Sequence, residues 1–195
     1  MEDVTINYYN KNAKEYIDLT RDTAKETREL KFIKYLKKDS YILDLGCGSG
    51  KASKFFMNNG YRVCALDASI ELAKLTSEYL GQQVICKRME EIDFNNEFDG
   101  IYASASLLHI PKNKQKEVLT KLTKALKENG YMYVNYKYGN FEGIRDGRYY
   151  SDFTMEEIEK IIEQIRQLKI IEKFIIEDEL GRGNKWINLI MKKHL

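Results

Sequence analysis

The apolar run YILDL at positions 41–45 leads without a break into Gly46-Cys47-Gly48-Ser49-Gly50. A short apolar stretch that stops at a glycine cluster reads as a buried strand whose end must turn sharply. Glycines at alternate positions allow positive φ and leave backbone bare enough for a ligand to lie against it. A dinucleotide turn of the form GxGxxG would place its third glycine at position 51, which is Lys51 here. The GxGxG spacing therefore favours a small nucleoside over a pyrophosphate. Asp44, at the strand's end, can accept a hydrogen bond from a cationic amine.

The pattern around this strand alternates. Ile6, Tyr9, Ala13 and Tyr16 fall on one face of an N-terminal helix, and Leu30, Ile33 and Leu36 form the apolar side of a second. Beyond the glycine turn come a helix over 50–58, a strand at YRVCAL (61–66), a helix over 69–80 and a strand at QVIC (83–86). FDGIYAS (98–104) reads as a strand, and helix 114–127 is closed by Asn129-Gly130. Strand 131–138 leads into a polar loop with Gly139, Gly143 and Gly147, then helix 154–166. The runs 170–178 and 185–193 flank the turn LGRGN and predict a terminal hairpin. Alternating strands and helices with near-continuous apolar strands imply an α/β fold, a doubly wound parallel sheet with the hairpin adding an antiparallel strand. Ligands of such sheets bind outside the carboxyl ends of the strands.

Composition narrows the function classes. The 195 residues suit one domain. With 32 basic and 30 acidic residues the net charge is +2, too balanced for bulk attraction to nucleic acid or membrane. No apolar run approaches the roughly 20 residues of a membrane span. The opening MEDVTINYYNKN is too polar for a signal peptide, so a cytoplasmic location is expected. Cys47, Cys64 and Cys86 form no CxxC pair and read as reduced packing thiols. With His109 and His194 the only histidines, no metal site is expected.

Leu66-Asp67-Ala68 closes the second strand 17 residues after Gly50, where an acid is placed to bind both ribose hydroxyls of a nucleoside. Taken with the glycine turn, these residues resemble the class I S-adenosylmethionine-dependent methyltransferases. ILDLGCGSG is similar to their first motif, Asp67 to the acid of their second, FDGIYASASLLHIP to their fourth-strand motif and LKENGYMYV to the turn into their fifth strand. The match runs from about Tyr8 to the C-terminal hairpin. ASASLLHIP, YKYG, RDGRYYSDFT and WINLIMKK look like a bacterial subgroup near the tellurite-resistance and small-molecule enzymes.

The resemblance implies a seven-stranded Rossmann-like sheet of order 3-2-1-4-5-7-6 with its last strand antiparallel. It implies one domain over 1–195, with a helical lid at 1–38 and a core at 39–195. S-adenosylmethionine would be the cofactor and S-adenosylhomocysteine its product. Gly46, Cys47, Gly48, Ser49 and Gly50 would pass beneath the methionine moiety, and Asp44 would orient its amino group. Asp67 and Ala68 would hold the ribose, while Met89 and Glu90 fall where relatives contact adenine. Relatives often carry an acid one place earlier, where this chain has Arg88. Ala103 and Ser104 would approach the sulfonium, and Tyr16 resembles the aromatic that covers the cofactor.

Methyl transfer is an in-line displacement for which proximity and a dry pocket suffice, and an acidic acceptor needs no base and no metal. His109 is the credible histidine base for an alcohol or amine acceptor; it equally suits a role fixing the loop before Pro111. Tyr8 and Tyr9 can shape the acceptor site or pack in the core. Lys137, Tyr138, Arg145, Arg148, Tyr149 and Tyr150 crowd cations and aromatics into one stretch, which suits a small anionic acceptor or a solvated, structural role for the charges. Trp186 reads as core. The expected partner is this small-molecule acceptor, with nucleic acid and membrane disfavoured and a monomer or homodimer both open. RNA or protein methylation, a catalytically degenerate binding module and an NAD oxidoreductase are the competing readings.

Overall fold

The computed structural model describes residues 2–22, 26–177 and 183–194. Its main sheet contains β1 (Tyr41–Leu45), β2 (Arg62–Asp67), β3 (Ile85–Cys86), β4 (Phe98–Ala103), β5 (Leu126–Lys137), β8 (Leu168–Glu177) and β9 (Lys185–Lys193). The strand order is β3-β2-β1-β4-β5-β9-β8. The first five pair in parallel, and β9 runs antiparallel to both β5 and β8. Counted within this sheet alone, the order is the expected 3-2-1-4-5-7-6.

Side-chain alternation along the strands divides the core into two layers. Leu43 and Leu45 of β1 face α6 (Gln115–Ala125) and α7 (Met155–Ile162), where Val118, Leu119, Leu122, Ile158 and Ile162 are buried with them. Ile42, with Tyr102 of β4 and Tyr133 of β5, faces α3 (Thr27–Ile33) and α4 (Lys51–Asn58) through Phe32, Phe55 and Phe56. The Tyr102 and Tyr133 rings stack with centroids 4.7 Å apart. Asp44 shares the face of Ile42 and stands where this second layer opens at the strand ends.

Several elements differ from the sequence-based expectation. Leu30 is 49% exposed, and α3 instead turns Phe32 and Glu29 inward. Glu29 is tolerated there because its Oε1 accepts the Tyr102 hydroxyl at 3.0 Å. The N-terminal helix is two helices, α1 (Glu2–Lys11) and α2 (Ala13–Thr20), broken at Asn12. Asn129-Gly130 does not close α6, which ends at Ala125; Asn129, at φ +63°, lies in an irregularity of β5 where two steps along β4 correspond to five along β5. Cys86 is exposed on the edge strand, so packing does not account for it. Of the LGRGN turn, residues 180–182 lie outside the described residues.

The expected polar loop after β5 is a second, two-stranded sheet. β6 (Glu142–Arg145) pairs antiparallel with β7 (Arg148–Ser151) around a tip in which Asp146 and Gly147 both have positive φ, at +51° and +74°. Two left-handed central residues are what a two-residue turn needs to match strand twist. The hairpin leans on α1: Gly147 faces the Tyr8 ring, and the Tyr149 N–H donates to Thr5 Oγ1 at 2.8 Å. With α2, these elements roof the carboxyl ends of the strands. Among the described residues no helix is long and apolar enough to cross a membrane.

Candidate active site

The glycine turn after β1 is tied to β2. Gly46 N–H and Cys47 N–H both donate to the Leu66 carbonyl, at 2.8 and 2.9 Å. Gly48 N–H donates to Asp67 Oδ2 at 2.9 Å, and Thr76 Oγ1 of α5 (Ile70–Leu80) donates to the Gly48 carbonyl at 2.7 Å. Gly46 has φ +71°, and a Cβ there would stand 2.6 Å from Ser106 Cβ, so only glycine fits. Gly48 lies beneath Tyr16, whose ring would be 3.1 Å from an added Cβ. Asp67 also accepts the Ser69 N–H at the start of α5, at 2.9 Å.

Two buried carboxylates thus stand at adjacent strand ends. Asp44 Oδ2 accepts the Ser53 hydroxyl at 2.6 Å. Loss of hydration pushes the Asp44 carboxyl up to about 7 despite that bond. Burial likewise raises Asp67 against the backbone N–H groups of Ser69, Gly48 and Ala68. Neither carboxylate has an ion-pair partner among the described residues. Each therefore favours a ligand that brings positive charge or hydroxyl donors.

Above them the cavity has two connected parts. A narrow chamber of about 90 Å³ is lined by Gly46, Gly48, Asp67, Ala68, Met89 and Glu90, together with Arg88, Leu72 and Ser106. A wide chamber of about 540 Å³ is lined by Asp44, Cys47, Ser49, Lys137, Arg145 and Arg148, together with Arg28, Tyr150 and Trp186. Tyr9, Tyr16, Gly46, Ser104, Ala105 and His109 line both and form the neck.

The neck is held by polar contacts at each side. His109 Nδ1 is 2.6 Å from the Tyr149 carbonyl, which can only accept, so Nδ1 carries the proton. Nε2 is then the acceptor for the Tyr9 hydroxyl at 3.1 Å. Burial, reinforced by the charges of Arg148 and Lys137 and opposed by the Tyr149 bond, lowers His109 to about 4. The ring is neutral with both nitrogens engaged, which departs from the ordinary histidine pKa expected of a base. On the opposite side Ala105, at φ +52°, donates its N–H to Asn135 Oδ1 of β5.

The remaining sequence-predicted residues lie elsewhere. Gly50 caps α4 at φ +78° and lines neither chamber. Ala103 is fully buried in the core. Tyr8 sits beneath the Arg148 guanidinium, 4.6 Å from its ring centroid, outside the lining. Tyr138 is 46% exposed and away from both chambers. Tyr149 points to the other side of β7, its hydroxyl donating to Glu142 Oε1 at 2.7 Å; its neighbour Tyr150 faces the wide chamber instead. Arg145 lines that chamber but is held by Asp152 through two bonds of 3.1 Å.

Arg28, Glu29, Ala105, Asn135 and the chamber-facing side of Trp186 were not singled out from the sequence. Their positions depend on how α3, β5 and β9 pack. The Asp146-Gly147 dipeptide, by contrast, was a local signal for the hairpin that aims Arg148 and Tyr150.

A family model described as a methyltransferase domain matches residues 42–130. An uncharacterized protein of Methanocaldococcus jannaschii is 31% identical over 126 residues, 63% of this chain and 47% of that protein. Sarcosine/dimethylglycine N-methyltransferase of Halorhodospira halochloris is 27% identical over 138 residues, 66% of this chain and 48% of that one. The chain thus spans about half the length of these curated relatives. Burkholderia thailandensis 1,6-didemethyltoxoflavin-N1-methyltransferase, solved with 1,6-didemethyltoxoflavin and S-adenosylhomocysteine, superposes with TM-score 0.82 at 19% identity over 98% of this chain and 88% of that one. A Clostridium acetobutylicum S-adenosylmethionine-dependent methyltransferase gives TM-score 0.70 at 20% identity, covering 97% and 100%. At these identities the structural likeness establishes the fold.

Proposed function

We propose that this chain transfers a methyl group from S-adenosylmethionine to a small, anionic acceptor by in-line displacement, and that no metal is required. One observation carries the reading: two buried carboxylates, without ion-pair partners among the described residues, flank a bare glycine turn beside a neck that opens into a chamber rich in Arg and Lys side chains. The matched methyltransferase domain model and the fold support it. We assign the chain to the small-molecule, tellurite-resistance-like subgroup on its ASASLLHIP, YKYG, RDGRYYSDFT and WINLIMKK blocks.

When bound, the cofactor supplies an electrophilic methyl group on a positively charged sulfur. The residues present suit it. Asp67 spends one acceptor site of each oxygen on Gly48 and Ser69, which leaves further lone pairs for ribose hydroxyls. Asp44 answers an ammonium group, and Gly46 and Gly48 leave bare backbone for the ligand to lie against. Met89, Glu90 and Arg88 line the end of the narrow chamber that would take the base. Tyr16 covers the glycine turn. Ser104, Ala105, Tyr9 and His109 enclose the neck, where the methyl group and acceptor would meet in the absence of bulk water. His109 acts there as a pin for Tyr9 and the hairpin, leaving ionisation of the acceptor to the acceptor's own acidity and to the cations around it.

Thermal shift with S-adenosylmethionine, S-adenosylhomocysteine and NAD tests this reading. A ligand at about 100 times its dissociation constant stabilises by roughly 2.7 kcal/mol, a rise of several degrees at this size. A shift with the two sulfur nucleosides alone is expected; a shift with NAD alone overturns the reading. Incubation of acceptor candidates with labelled methyl donor then separates an enzyme from a binding module.

A further inference from the structure

A belt of alternating cations and rings runs along one wall of the wide chamber. The Arg28 guanidinium lies 5.5 Å from the Trp186 ring centroid and the Lys137 ammonium 6.0 Å from the same ring. Lys137 is also 4.7 Å from the Tyr150 centroid, and the Arg148 guanidinium is 5.4 Å from it. Arg148 then reaches the neck, 5.9 Å from the Tyr9 centroid. The belt therefore has a near end at Arg148 and Tyr9, where Tyr9 also lines the narrow chamber, and a far end at Arg28 and Trp186, which line the wide chamber alone.

Its hydrogen-bond inventory is one-sided. Arg28 Nε, Trp186 Nε1 and Arg148 Nε are buried without a partner among the described residues, and all three are donors. No carboxylate pairs with Arg28 or Arg148 among the described residues. A sealed N–H without an acceptor is destabilising, because it has given up its bond to water and gained none in return. These three donors belong to residues that line the wide chamber, which Glu29, Asp44 and Asp146 also line, and each calls for an oxygen acceptor. Between its ends the wall offers guanidinium planes and aromatic rings, both of which stack on flat conjugated groups.

We infer that the acceptor is a flat conjugated acid lying along this belt, its carboxylate at Arg28 and Trp186 and its methyl-accepting oxygen at Arg148 and Tyr9. This rests on the reading that the neck is where the methyl group is delivered. Arg148 favours the ionised form of an oxygen beside it, so the neutral, doubly engaged His109 need take no proton. The ionised oxygen's own electron pair forms the new O–C bond as the S–C bond breaks. That bond's pair stays on sulfur, and no proton moves.

Trp186 is the sole tryptophan in the chain, so its fluorescence reports directly on the far end of the belt. The first measurement is calorimetric binding of S-adenosylhomocysteine; absence of that binding fails the methyltransferase reading itself. With that ligand saturating, the wild-type protein is titrated with 4-hydroxybenzoate, 4-hydroxycinnamate, 4-hydroxybenzamide, succinate and inorganic phosphate. The inference expects at least one aromatic acid to bind and change Trp186 fluorescence, with the amide, succinate and phosphate at least tenfold weaker. It further expects Arg28→Gln, and Trp186→Phe read by calorimetry, each to weaken that acid about tenfold. Trp186→Phe keeps an aromatic ring while removing the N–H with the pyrrole half of the indole, an independent variant that guards against a folding artefact at Arg28. Equal binding of acid and amide, equal binding of succinate or phosphate, undiminished binding by both variants, or no binding of either aromatic acid overturns the inference while leaving the cofactor reading intact.

Discussion

The Asn135 carboxamide, fully buried in β5, accepts the backbone N–H of Ala105 and so holds a non-glycine residue in the left-handed region at the neck of the cavity. That conformation carries an intrinsic cost of roughly 1–2 kcal/mol for an alanine. Asn135 Nδ2 has no partner among the described residues, so the carboxamide contributes to this contact through its oxygen alone. Replacing Asn135 with Leu leaves the Ala105 N–H unanswered and allows the 104–105 segment to relax. S-adenosylhomocysteine should then bind about tenfold more weakly. Ala105→Gly removes the cost of positive φ, so the double variant should recover part of the affinity. Calorimetry on the single and double variants checks this; equal affinities for both would refute the coupling.

Asp44 ties cofactor affinity to pH. Its folded-state pKa of about 7 lies above its ordinary value of 3.8, so the ligand-free fold prefers the protonated acid. That contribution to stability is complete below the ordinary value and is lost as pH rises through about 7. Asp44→Asn should therefore raise the melting temperature of the ligand-free protein more at about pH 8 than at about pH 5. A cation at Asp44 reverses the preference. Affinity for S-adenosylhomocysteine should rise with pH up to about 7, with proton release below it, and Asp44→Asn should abolish both. Calorimetry in buffers of different ionisation heat measures that proton release.

The parts of the molecule legible in the sequence are those set by local patterning. YILDL and GCGSG announce a strand and turn because burial on both faces demands an apolar run and the turn demands glycine. The strands of the hairpin at 142–151 are illegible, with only Asp146-Gly147 marking the turn, because they carry Gly143, Arg145 and Arg148 and leave Ile144 53% exposed, so no apolar alternation marks them. Leu30 and Phe32 exchanged roles because α3 is only seven residues long, too short for its pattern to single out one face. Trp186 shows a different limit. It is buried, as a core reading expects, yet its ring also forms part of the chamber wall. Which neighbours surround a buried ring depends on the pairing of β5 with β9, and nothing in the local sequence states that.

The His109–Tyr9 contact predicts a pH profile. A neutral ring whose Nδ1–H is spent on the Tyr149 carbonyl and whose Nε2 accepts from Tyr9 contributes no ionisation between about pH 6 and 8. Of the protein's own groups at the site, Asp44 then supplies a limb of kcat/KM near pH 7. His109→Ala should preserve that limb, destabilise the protein by about 1–3 kcal/mol and raise KM. Asp44→Asn should remove the limb. A limb lost in His109→Ala and kept in Asp44→Asn would restore His109 as a base.

The tyrosines of the hairpin and its approach should separate cleanly by direction. Successive residues of β7 face opposite ways, so Tyr150 lines the wide chamber while the Tyr149 hydroxyl bonds Glu142 on the other side. Tyr138 is 46% exposed and lines neither chamber. Tyr138→Ala should therefore change stability by less than about 0.5 kcal/mol and leave kinetics untouched. Tyr149→Phe should lower stability by about 1 kcal/mol with KM unchanged, since only a hydrogen bond remote from the cavity is lost. Tyr150→Leu removes the ring beneath Lys137, Arg145 and Arg148 and should raise KM for the acceptor about tenfold, with cofactor affinity unaltered. Equal kinetic effects at Tyr149 and Tyr150 would mean that the hairpin presents its other face to the acceptor.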